Sequence, residues 1–184
     1  MRNGIISSKL LMVLLLLIME SCFFLPKAQR YNSRGLHLAK KEKYAEALKY
    51  LNLALELKSN YEEALINRGI CYWGIKDNKK AFVDFNRCLA LNPTNHRCYF
   101  NRGQFREDIG DYQGALKDYQ RAILHKENKY IYYNYYGRLL ASLDSCKAAL
   151  PYLTIAIEKR ADDHCNVMEE LVLLKKKCEE RCKQ

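Results

Sequence analysis

Residues 62–95 read EEALINRGICYWGIKDNKKAFVDFNRCLALNPTN, and this stretch decides the fold. Apolar residues recur at helical spacing on both sides of Lys76-Asp77-Asn78, three turn-tolerant residues. The stretch therefore predicts one helix over about Ala64 to Ile75 and a second over about Lys79 to Leu91. So short a link makes them antiparallel neighbours, with Gly69 and Ala81 where the two axes come closest. Glycine inside a helix costs about 1 kcal/mol relative to alanine, so its use here implies a close approach that compensates for it.

Outward from this stretch the same residue types return every 34 positions. Gly35, Gly69, Gly103 and Gly137 are half of the eight glycines of the 184-residue chain. Twelve residues after each stands alanine, at Ala47, Ala81, Ala115 and Ala149, and seven further on a small residue, at Ala54, Cys88, Ala122 and Ala156. One helical turn beyond the alanine comes a large apolar residue, Leu51, Phe85, Tyr119 or Leu153, which predicts the knobs between neighbouring helices. Tyr31, Leu65, Tyr99 and Tyr133 precede the glycines by four and close the same seam. One helix pair alone would leave an apolar face in water, and stacking on the next pair buries it. The class is all-α, in keeping with only three prolines and a composition rich in Leu, Ala, Lys, Glu and Tyr.

The pattern of Gly69, Tyr72, Ala81, Phe85 and Pro93, repeated in outline over residues 28–163, resembles the tetratricopeptide repeat. The resemblance implies an α-solenoid of tandem helix-turn-helix units at about 28–61, 62–95, 96–129 and 130–163. A capping helix follows in 164–184, with Val167, Leu171 and Leu174 on its apolar stripe. Arg34, Arg68, Arg102 and Tyr136 depart from the family's usual aliphatic residue before the glycine, and Cys146 stands at the fourth turn. First helices line the concave groove in this family. The resemblance thus places a protein- or peptide-binding site on Ile66, Asn67, Ile70 and Trp73 in the second repeat. It continues on Arg97, Phe100, Asn101 and Gln104 in the third and on Asn134, Tyr135 and Arg138 in the fourth. Some members clamp a terminal carboxylate with Lys and Asn side chains. At those positions this chain has Asn67 and Arg97 in agreement but Asn32, Leu36 and Asn101 at the others, which argues against a chaperone-tail clamp.

The first thirty residues have a different character. Arg2 and Lys9 precede a run from Leu10 to Met19 without a polar residue, the layout of an export signal and too short for the roughly twenty residues of a spanning helix. Met19-Glu20-Ser21-Cys22 resembles the lipobox of bacterial lipoproteins, which implies a signal at 1–21, lipidation of Cys22 and a tether over 22–29. The expectation is an exported, membrane-tethered scaffold on the periplasmic side of a bacterial envelope, binding a protein or peptide. Its rivals are a structural subunit of a larger envelope complex and a basic nucleic-acid-binding solenoid.

The formal charge of +10 invites a nucleic-acid or membrane-surface reading, but Glu169, Glu170, Glu179 and Glu180 offset Lys175-Lys176-Lys177, and most charges read as solvated helix faces. Nucleic acid is not expected. His37, His96, His125 and His164 share no recurrent ligand spacing, and phosphate-cradling loops and nucleophile elbows are absent, so neither catalysis nor a cofactor is expected. Of eight cysteines, Cys88 fills a small-residue slot, while Cys178 and Cys182 lie four apart and would flank a metal only with help from His164 and Cys165. No metal site is expected, and the spacing leaves the disulfide pairing open.

Overall fold

A computed structural model describes residues 27–159 and 167–183. These residues form α1 (27–39), α2 (Tyr44–Leu57), α3 (Glu62–Gly74), α4 (Asn78–Leu91) and α5 (His96–Asp108). Further along come α6 (Tyr112–His125), α7 (Tyr130–Ser142), α8 (Cys146–Glu158) and α9 (Val167–Arg181). The architecture is an all-α solenoid of tandem helix-turn-helix units ended by α9. By contact the chain forms two compact units, one ending at Asp84 and the other beginning at Phe85, so that the boundary falls inside α4.

The hairpin read from 62–95 is present, with its first helix starting two residues earlier than expected and ending one earlier. The reason for its sharp stop recurs along the chain. Glu42, Lys76, Gly110 and Asp144, again 34 apart, all have positive φ, between 56° and 83°. Each follows a first helix as its left-handed stop. The next residue donates its N–H to a carbonyl five positions back: Lys43 to Leu38, Asp77 to Tyr72, Asp111 to Arg106 and Ser145 to Leu140, at 2.8–3.0 Å. This double closure satisfies carbonyls that a helix end would otherwise leave open. Only Gly110 is the glycine that such a position favours, which is why the stops are hard to see in the sequence. Second helices then start on a cap where one is available, as when the Asp111 carboxylate accepts from the Gly114 N–H at 2.9 Å.

In the first unit, Leu38, Ala47, Leu51 and Cys71 form the core, with Tyr44, Leu48 and Tyr50 packed against it. A Cβ placed on Gly35 would lie 2.6 Å from Leu51 Cγ, so the helices of this pair touch through the glycine. The residue over the glycine is thus the knob, with the Ala47 carbonyl oxygen beside it at 3.3 Å. Burial holds the Cys71 thiol protonated by pushing its pKa up to about 12.

The second unit repeats the arrangement. Gly103 faces the Tyr119 ring at 2.7 Å and Gly137 faces Leu153 at 3.0 Å, measured from the Cβ each lacks. Ala115, Tyr119 and Leu139 make one core cluster. A second joins Leu140, Ala141, Ala149 and Leu153 to Leu171 and Cys178 of α9. Two disulfides fix the pairing that the spacing left open: Cys88–Cys98 joins α4 to α5, and Cys146–Cys178 joins the start of α8 to α9. Their Cα atoms lie 6.3 and 4.9 Å apart. Cys178 is therefore not available as the metal ligand considered above, and His164 and Cys165 lie outside the described residues.

Two outcomes follow from this packing. Gly103→Ala recovers about 1 kcal/mol of helix propensity but forces a methyl into a ring whose hydroxyl is tied to Glu107, an overpacking cost of about 1–3 kcal/mol. Urea denaturation is expected to show a net loss, and a smaller one for Gly137→Ala, where Leu153 is further away. Replacing Cys146 and Cys178 together by alanine removes a cross-link spanning 32 residues and is expected to cost about 2–4 kcal/mol. The check is that a dithiol reductant, which also opens Cys88–Cys98, lowers the unfolding midpoint of the parent by more than that of the double variant.

Candidate functional site

In both units, the residue before the glycine organises a polar ladder. The guanidinium of Arg68 on α3 donates through Nε and Nη2 to both carboxylate oxygens of Asp84 on α4, each at 2.8 Å. Its Nη1 donates to Asn52 Oδ1 on α2 at 2.9 Å. Thirty-four residues on, Arg102 repeats every contact, to Asp118 at 2.8 and 2.7 Å and to Asn86 at 2.6 Å. Each arginine thus ties three consecutive helices. Asp84 and Asp118 are each only 2% exposed. The planar guanidinium fork matches a carboxylate in two places, which a lysine could not do. Arg106 adds a third donor to Asp118 at 2.9 Å.

The carboxylates were not singled out in the sequence, although a signal exists. Asn52 with Asn86, Arg68 with Arg102 and Asp84 with Asp118 all recur at 34 residues, and each Arg–Asp pair has the 16-residue spacing of glycine to knob. The register also shows where the ladder is broken. Opposite Arg34 stands Tyr50, whose ring lies 5.9 Å from the Arg34 Cζ, and opposite Tyr136 stands Tyr152, edge-on at 4.6 Å.

The expected contact residues separate by burial. In the first unit Ile66 and Asn67 are buried, and the Asn67 amide donates to Asn32 Oδ1 at 2.9 Å. Ile70 and Trp73 are half-buried. In the second unit Arg97 and Arg138 are exposed, while Asn101, Gln104 and Tyr135 are partly exposed. The Asn101 amide donates to the Arg97 carbonyl at 2.7 Å. Phe100 lies in an aromatic cluster, 4.8 Å from Tyr132, 5.1 Å edge-on to Tyr135 and 5.9 Å from Tyr119. Asn134 is 3% exposed, and its Oδ1 has no hydrogen-bond partner.

Two polar tips of this cluster, those of Tyr119 and Tyr132, are paired. Tyr119 donates to Glu107 at 2.6 Å, and burial, then that hydrogen bond and its charge, push its pKa far up, so it remains a neutral donor. His96 Nδ1 is 2.7 Å from the Tyr132 hydroxyl. Burial and then the neighbouring Lys126, Arg97, Lys129 and His125 lower the His96 pKa, which keeps the ring neutral at pH 7. Among the described residues no group of three or more His, Cys, Asp or Glu side chains is placed to hold a metal.

Known proteins resemble this chain in sequence and fold. Tetratricopeptide-repeat family models match residues 28–61, 62–95 and 85–117. Over residues 28–117 the chain belongs to the tetratricopeptide-repeat family. The Hsp70-Hsp90 organizing protein 1 of Glycine max is 29% identical over 107 residues, which is 58% of this chain and 19% of that protein. The chain spans less than a fifth of the length of these Hsp70-Hsp90 organizing proteins. Among solved structures, the first TPR of Spaghetti (RPAP3), bound to the HSP90 peptide SRMEEVD, is 26% identical with a TM-score of 0.59. The likeness covers 66% of this chain and 96% of that one. A structure of Pseudomonas aeruginosa pilF shares the fold with a TM-score of 0.76 at 16% identity, over 86% of this chain and 70% of that one.

These findings correct the expectation of an exported, membrane-tethered scaffold. The curated relatives include Hsp70-Hsp90 organizing proteins of plants and a sti1 homolog of fission yeast, and the family match begins at residue 28. No helix of the described residues is long and apolar enough to cross a membrane. Residues 27–29, expected within the tether, belong to α1, where Ala28 is buried. Cys22 and the expected signal at 1–21 lie outside the described residues.

The ladder gives a measurable coupling. Asp118→Leu leaves Arg102 and Arg106 facing a desolvated apolar wall and is expected to cost about 3–5 kcal/mol, as does breaking a buried ion pair from one side. Arg102→Leu combined with Asp118→Leu is expected to cost less than the sum of the single changes, by about 1–3 kcal/mol in a double-mutant cycle read by chemical denaturation.

Proposed function

We propose that the chain is a non-catalytic peptide-docking module, built of repeats at 28–61, 62–95, 96–129 and 130–163 with a cap at 164–184. It takes an extended acidic segment on the face that α5 and α7 present in the second unit. The observation that carries this reading is the likeness, over two thirds of the chain, to a domain solved with an HSP90 peptide whose sequence holds two glutamates and an aspartate against one arginine.

The chemistry of the face suits such a segment. Arg97 and Arg138 are exposed cations on α5 and α7, and Asn101, Gln104 and Tyr135 are polar groups of partial exposure on the same two helices. The Asn101 amide nitrogen is engaged by the Arg97 carbonyl, which leaves its oxygen as the acceptor for a peptide N–H. Phe100, anchored among Tyr119, Tyr132 and Tyr135, is a rigid apolar floor. The net charge of +10 adds long-range attraction for an acidic chain.

Recognition in this reading runs through acidic side chains and the peptide backbone rather than the terminal carboxylate. Two of the positions that clamp a carboxylate in some family members are Asn32 and Asn67, which here bond to each other in a buried pair, and Leu36 offers no polar group.

Fluorescence anisotropy with labelled SRMEEVD as the free acid and as the C-terminal amide tests the assignment. Both forms are expected to bind with affinities within about threefold of each other, and Arg97→Ala with Arg138→Ala to weaken both by about tenfold, equivalent to about 1.4 kcal/mol. Absence of saturable binding, or binding untouched by the double change, overturns it.

A further inference from the structure

The broken first rung of the arginine ladder points to a second binding surface, independent of the face on α5 and α7. Arg34, Arg68 and Arg102 occupy one position of the repeat. Two of them are neutralised by a carboxylate 16 residues later, Asp84 for Arg68 and Asp118 for Arg102. For Arg34 that place holds Tyr50, which offers the guanidinium a ring face at 5.9 Å and no oxygen pair. The side chain is exposed, where its register-mates are largely buried in their ion pairs.

Its surroundings are basic. Lys27, Arg30, Arg34 and His37 follow one another along α1 at intervals of three and four residues, which places them on one side of the helix, and Lys41 follows in the turn just beyond it. All five are exposed. No acidic residue occurs in the sequence from Ser21 to Lys41, so none of these cations has a carboxylate neighbour along its own helix. From α2, which packs against α1 through Gly35 and Leu51, the Tyr50 ring faces Arg34. Gln29, Arg30, Ser33, Arg34 and His37 line an open recess of about 690 Å³ along this side.

We infer that this side of α1 docks an acidic helix of a partner protein, one of whose carboxylates takes the guanidinium fork of Arg34 as Asp84 takes Arg68 and Asp118 takes Arg102. The spacing favours a helix over an extended chain. Cations at alternating steps of three and four residues rise about 5 Å at a time along α1. Acids at the same steps on a helix lying alongside meet them one for one, whereas side chains on one face of a strand are about 7 Å apart and fall out of step. The ladder in the rest of the chain shows the contact in its completed form, an arginine bridging helices through a bidentate carboxylate.

The test uses the full chain and a labelled alanine-based helical peptide with glutamates at alternating three- and four-residue steps, against a peptide of the same composition with the glutamates spread around the helix. The striped peptide is expected to bind at least about tenfold more tightly, with an affinity that falls as salt is raised. Arg34→Ala is expected to weaken it about tenfold, and Arg34→Lys to restore little, because lysine lacks the fork. Tyr50→Asp supplies the missing carboxylate from within and is expected to abolish binding while the helical circular dichroism spectrum persists, which separates loss of the site from loss of the fold. SRMEEVD binding is expected to survive Arg34→Ala, so failure here and failure of the α5–α7 face are distinguishable. Equal affinity for the two peptides overturns the inference, as does indifference to Arg34→Ala. So does tighter binding to single-stranded RNA or to anionic phospholipid vesicles than to the striped peptide.

Discussion

Everything in this molecule depends on how closely the two helices of a pair approach, and that distance is set by a glycine with a large side chain laid over it. Where Leu51 covers Gly35, Tyr119 covers Gly103 and Leu153 covers Gly137, a single added methyl group would have to displace the side chain above it, least at Gly137. The alanines that follow twelve residues later, all fully buried, keep the same seam thin. Close approach of this kind maximises dispersion contacts and excludes water from the backbone, which offsets the conformational cost of glycine in a helix.

The polar ladder is a consequence of that seam. The arginine before the glycine sits at the edge of the close contact, near enough to the second helix for its guanidinium to meet a carboxylate in two places and to the preceding helix for an asparagine to take the third donor. A charge pair at such a depth adds less to stability than its Coulomb energy suggests, because both ions lose water. What it supplies is registry: an arginine shifted by one residue would bury an unpaired charge. Where the second helix carries tyrosine instead, the rung changes character. Tyr152 makes an aromatic pair with Tyr136 and closes the last repeat with apolar contact, whereas Tyr50 leaves Arg34 open on the surface.

The second unit carries more constraint than packing alone. Two disulfides lie in it, one of them holding the terminal helix through Cys178, beside which Leu171 is the other fully buried side chain among those described on that helix. Its aromatic cluster fixes Phe100, Tyr132 and Tyr135 with respect to one another, and Arg97 and Arg138 stand exposed on the helices that bear them. For the docking proposed on α5 and α7, a rigid floor with cations beside it would cost little to organise, the usual advantage of building a site on helices rather than loops.

The sequence by itself determined the helical class, the repeat length, the antiparallel pairs and the small-residue seam, because each rests on residue types recurring at fixed spacing, as Gly35, Gly69, Gly103 and Gly137 do. Tertiary structure alone decided which cysteines pair, since Cys88 and Cys98 or Cys146 and Cys178 are matched by helix placement and not by separation along the chain. It also decided which polar residues are spent inside. Asn67 and Asn101 look equivalent in register, yet one is buried against Asn32 and the other bonds its own helix at the surface, a difference made by the neighbour each meets. The left-handed stops at Glu42, Lys76 and Asp144 were hidden because residues with side chains occupy them, held there by carbonyls that needed a partner. Arg34 shows the division most plainly: its sequence position is that of Arg68 and Arg102, and only the side chain across the helix pair decides whether its charge is used within the fold or left for a partner.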